Sequence, residues 1–268
     1  MHKGGRPRWS LGHNARMTTL PDADYFDQWY ADMAGSTSRD ALVARMLGLP
    51  AHLRSTSLLT WEGVAEVTER LRVPDGGLLV DVACGRGGYG IEIAQRTGAR
   101  LIGVDFSATA VRLAGEAATE RLPGGRAEFR VGTLLETGVA ARTADALMCV
   151  DALQFAVPPL AALQEFRRVL KPGGRLALTC WEAVNPGDPL VPPRINGVHL
   201  LQDLTTAGFA DIDVRERPDW RAAERALWEA VVVEPEPDAA MRSLQEEGRR
   251  SLETFGSLRR MFATATAP

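Results

Sequence analysis

Between Leu78 and Trp181 short apolar runs alternate with helical stretches, and this rhythm constrains the fold more than any other feature of the chain. The runs are Leu78–Ala83, Leu101–Asp105, Glu128–Val131, Ala146–Val150 and Arg175–Trp181, the last following a Lys171-Pro172-Gly173-Gly174 turn. Helical spacing fills the intervals, clearest over Ala108 to Arg121 and Pro159 to Leu170. Strands that alternate with helices of this length build βαβ units, hence a parallel sheet covered on both faces. Ile212–Arg215 adds a sixth strand and Arg260–Ala265 a seventh. The Val-Val-Val at 231–233 is read as helix, because Trp220, Ala223, Leu227 and Val231 keep a helical period.

About 50 residues of helix precede the first strand. Tyr25, Phe26, Trp29, Tyr30 and Met33 share one helix face; Leu42, Val43, Met46 and Leu47 share a second, closed by Gly48 and Pro50. Trp61, Val64, Val67 and Leu71 share a third, which stops before Pro74-Asp75-Gly76-Gly77. Residues 1–20 are basic and aperiodic and read as a disordered tail, with Met17 as an alternative start. The chain therefore divides into that tail, a helical cap over 21–73, and a cofactor-binding domain over 74–268 with a helical insertion at about 218–256.

Charge and composition narrow the partners. Lys plus Arg number 31 against 34 Asp plus Glu, a net −3, which gives no electrostatic ground for a nucleic-acid partner. No apolar run approaches the roughly 18 residues of a membrane-spanning helix. Cys84, Cys149 and Cys180 fall in or just after apolar runs without metal-ligand spacing, as expected of reduced core thiols in a cytoplasm. No metal site is expected, and nothing in the pattern fixes an oligomeric state.

Gly85-Arg86-Gly87-Gly88-Tyr89-Gly90 satisfies G-x-G-x-x-G between the first strand and a helix, and Asp105 ends the next strand twenty residues on. Glycines let a backbone approach a ligand, N–H groups at a helix start face it, and a second-strand carboxylate suits two ribose hydroxyls. This much fits several nucleotide cofactors. Asp81 discriminates among them. A carboxylate four residues before Gly85 repels a pyrophosphate but attracts an ammonium, so a cationic, phosphate-free nucleoside such as S-adenosylmethionine fits and a nicotinamide dinucleotide does not. Asp81 as a mere helix cap is the plainer alternative.

The sequence resembles the class I S-adenosylmethionine-dependent methyltransferases of the small-molecule kind, most of all a branch common in bacterial natural-product pathways. The likeness runs over nearly all of 22–268. It is carried by Leu79-Val80-Asp81-Val82-Ala83-Cys84-Gly85-Arg86-Gly87-Gly88, Gly103-Val104-Asp105-Phe106-Ser107, Ala144-Asp145-Ala146 leading to Val150-Asp151-Ala152-Leu153, and Leu170-Lys171-Pro172-Gly173-Gly174-Arg175-Leu176. Ala207-Gly208-Phe209 before the sixth strand and Leu258-Arg259-Arg260-Met261 before the seventh complete it. The resemblance implies a Rossmann-like, doubly wound α/β sheet of order 3-2-1-4-5-7-6, with strand 7 antiparallel. It implies that Asp81, Ala83, Cys84, Gly85 and Gly87 hold the methionyl end and that Asp105 takes the ribose hydroxyls. Phe106 and Ser107 would flank the adenosine, Thr133 and Leu134 the adenine, and Val150 and Asp151 the sulfonium. The family often has Asp where Thr133 stands; a hydroxyl oxygen can still accept from the adenine amino group.

Methyl transfer displaces a thioether already activated by its positive charge, so proximity and a dry pocket supply much of the rate. A base is needed only where the acceptor must lose a proton. Relatives often place a His after Asp-Ala-Leu; here that slot is Gln154, which cannot take a proton but can orient an acceptor through its amide. His199 and Asp151 are the remaining candidates; His199 reads more readily as a partly exposed helix histidine, and Asp151 equally as a ligand of the cofactor's ammonium. Tyr25, Trp29, Tyr30, Trp61, Phe155, Trp181 and Trp220 (or Trp228) are the candidate walls of an acceptor pocket, although a helical aromatic stripe is more often core. Arg194, in the loop after Val191-Pro192-Pro193, reads as a surface arginine or as a partner for an acidic group on the acceptor. The expected function is methyl transfer to a small aromatic or apolar metabolite; the rival is a non-catalytic cofactor-binding relative. A nucleic-acid acceptor is disfavoured by the lack of an Asn/Asp-Pro-Pro-Tyr/Phe motif.

Overall fold

The computed structural model describes residues 23–268 apart from Pro123 and Glu236, so the tail expected over 1–20 lies outside the described residues. Three helices come first: α1 (Ala23–Ala34), α2 (Thr37–Leu47) and α3 (Trp61–Leu71). Side-chain caps start two of them. Ser36 accepts from the Arg39 N–H before α2, and Thr60 from the Gly63 N–H before α3. Gly48, at φ 66°, ends α2 in the left-handed conformation that glycine adopts without strain.

The alternating segment follows as β1 (Leu78–Val82), α4 (Gly88–Thr97), β2 (Arg100–Asp105), α5 (Ala108–Arg121), β3 (Ala127–Val131), β4 (Ala144–Val150), α6 (Pro159–Val169) and β5 (Leu170–Ala183). Then come α7 (Pro193–Asn196), α8 (Leu200–Thr206), β6 (Ala210–Glu216), α9 (Pro218–Val232), α10 (Ala239–Thr254) and β7 (Leu258–Thr266). The strands form one sheet of order β3-β2-β1-β4-β5-β7-β6. All neighbours are parallel except β7, which runs antiparallel to β5 and β6. Both the order and the reversed seventh strand agree with the expectation.

Two details differ from the sequence reading. The turn expected at Lys171–Gly174 is absorbed into β5: Leu170 already pairs with Ala144, the register shifts between Ala144 and Ala146, and Gly173 donates to Ala267 O at 2.7 Å with φ 81°. The chain end of β7 supplies the partner that makes this extension possible. The stretch after Pro192, read as loop, forms the single-turn helix α7, with proline at its first position where no N–H partner is needed.

Period-2 alternation sorts the strand residues into two cores. Leu79, Leu101, Met148, Ala177 and Phe262 face a cluster built with α3, α4, α9 and α10; Val80, Leu147, Leu176, Leu178 and Ala263 face one built with α6 and α8. The first cluster also contains Leu42, Val43 and Leu47 of α2, so α2 and α3 share their apolar interior with the sheet. No described helix is long and apolar enough to cross a membrane.

Candidate functional site

Ligands of doubly wound sheets bind outside the carboxyl ends of the strands, where the order reverses, here between β1 and β4. Alternation puts Asp81 on the same face as Leu79, against the first turn of α4. The approach is close enough to demand glycine there: a Cβ on Gly90 would stand 2.5 Å from Asp81 Oδ2. Ala83, Gly85 and Gly87 all have positive φ (59°, 54° and 76°), so the loop crosses the strand end in a tight, left-handed path. Gly103 is likewise required, since a Cβ there would meet Phe129 Cδ1 of β3 at 2.3 Å.

Asp81 and Asp105 are both 3% exposed and form no ion pair among the described residues. Burial pushes the Asp81 carboxyl well above the usual carboxylate range, with the Asp105 charge adding to the rise and the Gly90 N–H opposing it. Asp105 is raised by burial too, against the N–H groups of Ser107, Gly85 and Phe106. Its Oδ2 accepts from the Gly85 N–H at 2.8 Å and its Oδ1 from the Ser107 N–H at 3.0 Å. Two buried like charges without a cation are costly in a free protein, and a bound cationic group lowers that cost for both. Cys84, beside them, has its thiol pushed up by burial and by Asp81.

The helical cap lies directly on this loop. A Cβ on Gly88 would meet Arg54 O at 2.4 Å, and one on Gly85 would meet Thr56 Oγ1 at 2.9 Å and the Tyr30 hydroxyl at 3.0 Å. The buried Arg86 fork holds Asp40 of α2 at 2.9 and 2.7 Å. Asp27 of α1 accepts from the Thr109 N–H at 3.0 Å and from the Ser107 hydroxyl, at the start of α5. Phe26 stacks edge-on against Phe106, 5.1 Å between centroids, and lies 6.4 Å from Phe155. Tyr30 is buried, while Trp29 remains partly exposed and Tyr25 is 51% exposed.

Several expected residues are otherwise engaged. Asp151 is neither a free base nor a free ligand. Its Oδ1 lies 2.5 Å from Arg260 Nη2 and accepts from Thr179 Oγ1 at 2.5 Å, and its Oδ2 accepts from the Leu58 N–H at 3.0 Å. Arg260 in turn stands 3.7 Å from Glu224, whose Oε1 accepts from Trp228 Nε1 at 3.1 Å. Val150 remains at the strand end, its carbonyl accepting from Ser57 Oγ at 3.2 Å. Ser107 caps α5 through the Ala110 N–H, so its side chain serves the helix. The Thr133 oxygen accepts from the N–H groups of Leu135 (3.3 Å) and Glu136 (3.0 Å), which leaves it a donor rather than the acceptor expected for adenine; Leu134 is half-buried beside it.

His199 is not brought to the site. It precedes α8, which packs with α6 on the other sheet face, and lines a surface recess of about 430 Å³ with Glu182, Leu200 and Arg259. Trp220 is a core residue, 2% exposed, 5.2 Å from the Phe262 ring and covered by Arg217 at 3.7 Å. Trp181 packs on Phe255 at 5.8 Å, with Arg260 over its ring at 5.1 Å. Gln154 is buried in the turn Leu153–Phe155; its Nε2 donates to Asp151 O at 2.7 Å and its Oε1 has no partner among the described residues. The sequence reading missed Arg86–Asp40 and Asp151–Arg260, pairs between distant segments that no local spacing signals.

The sheet order, the strand-end carboxylates and the glycine loop define a Rossmann-like domain for a nucleoside cofactor. Residues 79–174 match the family described as a methyltransferase domain. The O-methyltransferase resE of Aspergillus sclerotiorum is 25% identical over 181 residues, 63% of this chain and 69% of that one. The demethylmenaquinone methyltransferase of Lactiplantibacillus plantarum is 33% identical over 117 residues, 43% of this chain and 48% of that one. Among solved structures, phosphoethanolamine N-methyltransferase 2 of Haemonchus contortus in complex with S-adenosyl-L-methionine superposes with a TM-score of 0.74 at 18% identity, over 94% of this chain and 61% of that one; this likeness concerns the fold. Residues 79–174 are thus similar to a methyltransferase domain, and the relatives that the chain resembles are S-adenosylmethionine-dependent methyltransferases. The chain spans about half to two thirds of the length of these relatives.

Proposed function

We propose that the protein transfers a methyl group from S-adenosylmethionine to a small aromatic or apolar metabolite. The observation that carries this reading is the pair of buried carboxylates, Asp81 and Asp105, at adjacent strand ends beside the Ala83–Gly87 loop, with no ion-pair partner among the described residues. When bound, the cofactor supplies a carbon activated for in-line displacement by its sulfonium. Asp81 neutralises the cofactor's ammonium, Ala83, Cys84, Gly85 and Gly87 line its methionyl part, Asp105 accepts from the ribose hydroxyls, and Phe106 and Leu134 flank the base. Val150 bounds the sulfonium side.

Asp151 acts as a positioning residue: clamped by Arg260 and Thr179, it ties the β4 end to Leu58 of the cap. Gln154 orients the acceptor with its unspent amide oxygen, and Phe26, Trp29, Tyr30 and Phe155 exclude water above the strand ends. The chemistry then rests on proximity and desolvation. Titration calorimetry tests the reading: S-adenosylhomocysteine binds and NAD does not, and a panel of phenols, amines and catechols yields S-adenosylhomocysteine in a turnover assay. A protein that binds neither donor nor product sinks it.

A further inference from the structure

Arg194 was open between an idle surface arginine and a partner for an acidic group, and its surroundings decide the matter. The guanidinium carbon lies 5.0 Å over the Phe155 ring, in the turn that follows Asp151. The side chain is half-buried and Nε is sealed from solvent. Among the described residues Arg194 forms no ion pair, and its Nε has no hydrogen-bond partner. A guanidinium lodged on an aromatic ring with its donor fork unspent is costly to hold unless an acceptor reaches it.

The neighbourhood shows where that acceptor comes from. Phe155 faces Phe26, and Phe26 faces Phe106 at the cofactor strand end, so Arg194 belongs to the aromatic wall over the site. Glu247 and Arg250 of α10 act on Arg194 electrostatically; Glu247 also feels Arg39 of α2, which lies 5.9 Å over the Trp29 ring. Burial raises the Glu247 carboxyl, and the charges of Arg39, Arg250 and Arg194 oppose the rise. Arg39, Arg194 and Arg250 stand against the carboxyls of Glu247 and Asp40, with positive charge in excess. Arg39 spends its charge on Asp40 at 3.1 Å, whereas Arg194 has no such partner.

We propose that Arg194, on the Phe155 ring, seats an anionic group of the methyl acceptor, a carboxylate or a phosphate joined to the aromatic or apolar body, in its planar fork. Planar oxyanions take two parallel N–H···O bonds from such a fork, and its stacking on Phe155 fixes the plane. The inference rests on the methyl-transfer reading and names the acceptor class for it.

Matched probe pairs test it: 4-hydroxycinnamate against its methyl ester, and phenyl phosphate against phenol, each titrated by calorimetry with and without S-adenosylhomocysteine. The anionic member of at least one pair binds wild type tenfold or more tightly than its neutral mate; which pair responds separates carboxylate from phosphate. Arg194→Met keeps the packing on Phe155 and abolishes the preference, Arg194→Lys retains part of it, and Glu247→Gln strengthens it. All three variants bind S-adenosylhomocysteine as wild type does. Equal binding within both pairs, no binding of either anion at millimolar concentration, or a preference that survives in Arg194→Met overturns the proposal. Loss of S-adenosylhomocysteine binding by wild type fails the functional reading instead, since the probe titrations in its absence still report on Arg194.

Discussion

At the scale of single residues, the site stores unfavourable electrostatics that a ligand relieves. Asp81→Asn removes a buried charge while keeping the shape. The free variant should melt no lower than wild type near neutral pH, and it should bind S-adenosylhomocysteine about 10- to 100-fold more weakly, the worth of a charge-assisted hydrogen bond of ~1.5–3 kcal/mol. Paired thermal melts and calorimetry check both halves. The Glu224 carboxyl, pushed up to about 8 by burial against the opposing Arg260 charge, supplies a second prediction. Its folded value lies above its ordinary 4.5, so the folded state keeps a proton that the unfolded chain has released. Stability from this group is therefore full below about pH 4.5 and declines toward pH 8, by at most ~1.4 kcal/mol per pH unit. Denaturant melts across that window should show the decline in wild type and a flatter profile in Glu224→Gln.

At the scale of elements, close packing of β2 on β3 sets the tolerance of the sheet edge that carries Asp105. Gly103→Ala forces its methyl into Phe129 and should cost ~1–3 kcal/mol, as overpacking does. The double variant with Phe129→Leu should recover most of the loss in a denaturation cycle, because the contact is between those two side chains. Elements were the legible part of the sequence. Period-2 and period-3.6 patterns are local, so the helices over 108–121 and 159–169 and the helical reading of 227–232 appear where expected. Asp81 and Asp105 were legible for the same reason: a polar residue that ends an apolar run stands at a strand end. Partners that meet only after folding were not. Arg260 reaches Asp151 because β7 lies beside β5, and Trp220 turns inward because α9 covers Phe262. A helical stripe does not reveal which of its aromatics meets the core, and the position of His199 between the fifth and sixth strands does not reveal the sheet face that α8 takes.

At the scale of the whole molecule, α1 is the covering over the cofactor loop. Only Tyr30 and Met33 of its residues are fully buried, and its polar attachment to α5 runs through Asp27. An element with so little buried apolar surface opens at low free energy. Hydrogen exchange read by mass spectrometry should find α1 among the fastest-exchanging helices of the free protein and slowed by S-adenosylhomocysteine, with β1 and β4 protected in both states. Equal exchange in the two states would argue that the cofactor enters without displacing this helix.

The clamp on Asp151 carries a last consequence, for the reactions open to this enzyme. Asp151 is held by a guanidinium, a hydroxyl and a backbone amide, as a positioning group in the proposed reaction, and the amide of the neighbouring Gln154 takes no proton. On the proposed reading, deprotonation falls to bulk solvent. Among a series of phenols, turnover should climb with pH along each compound's own ionisation curve, so that the most acidic phenols react at the lowest pH.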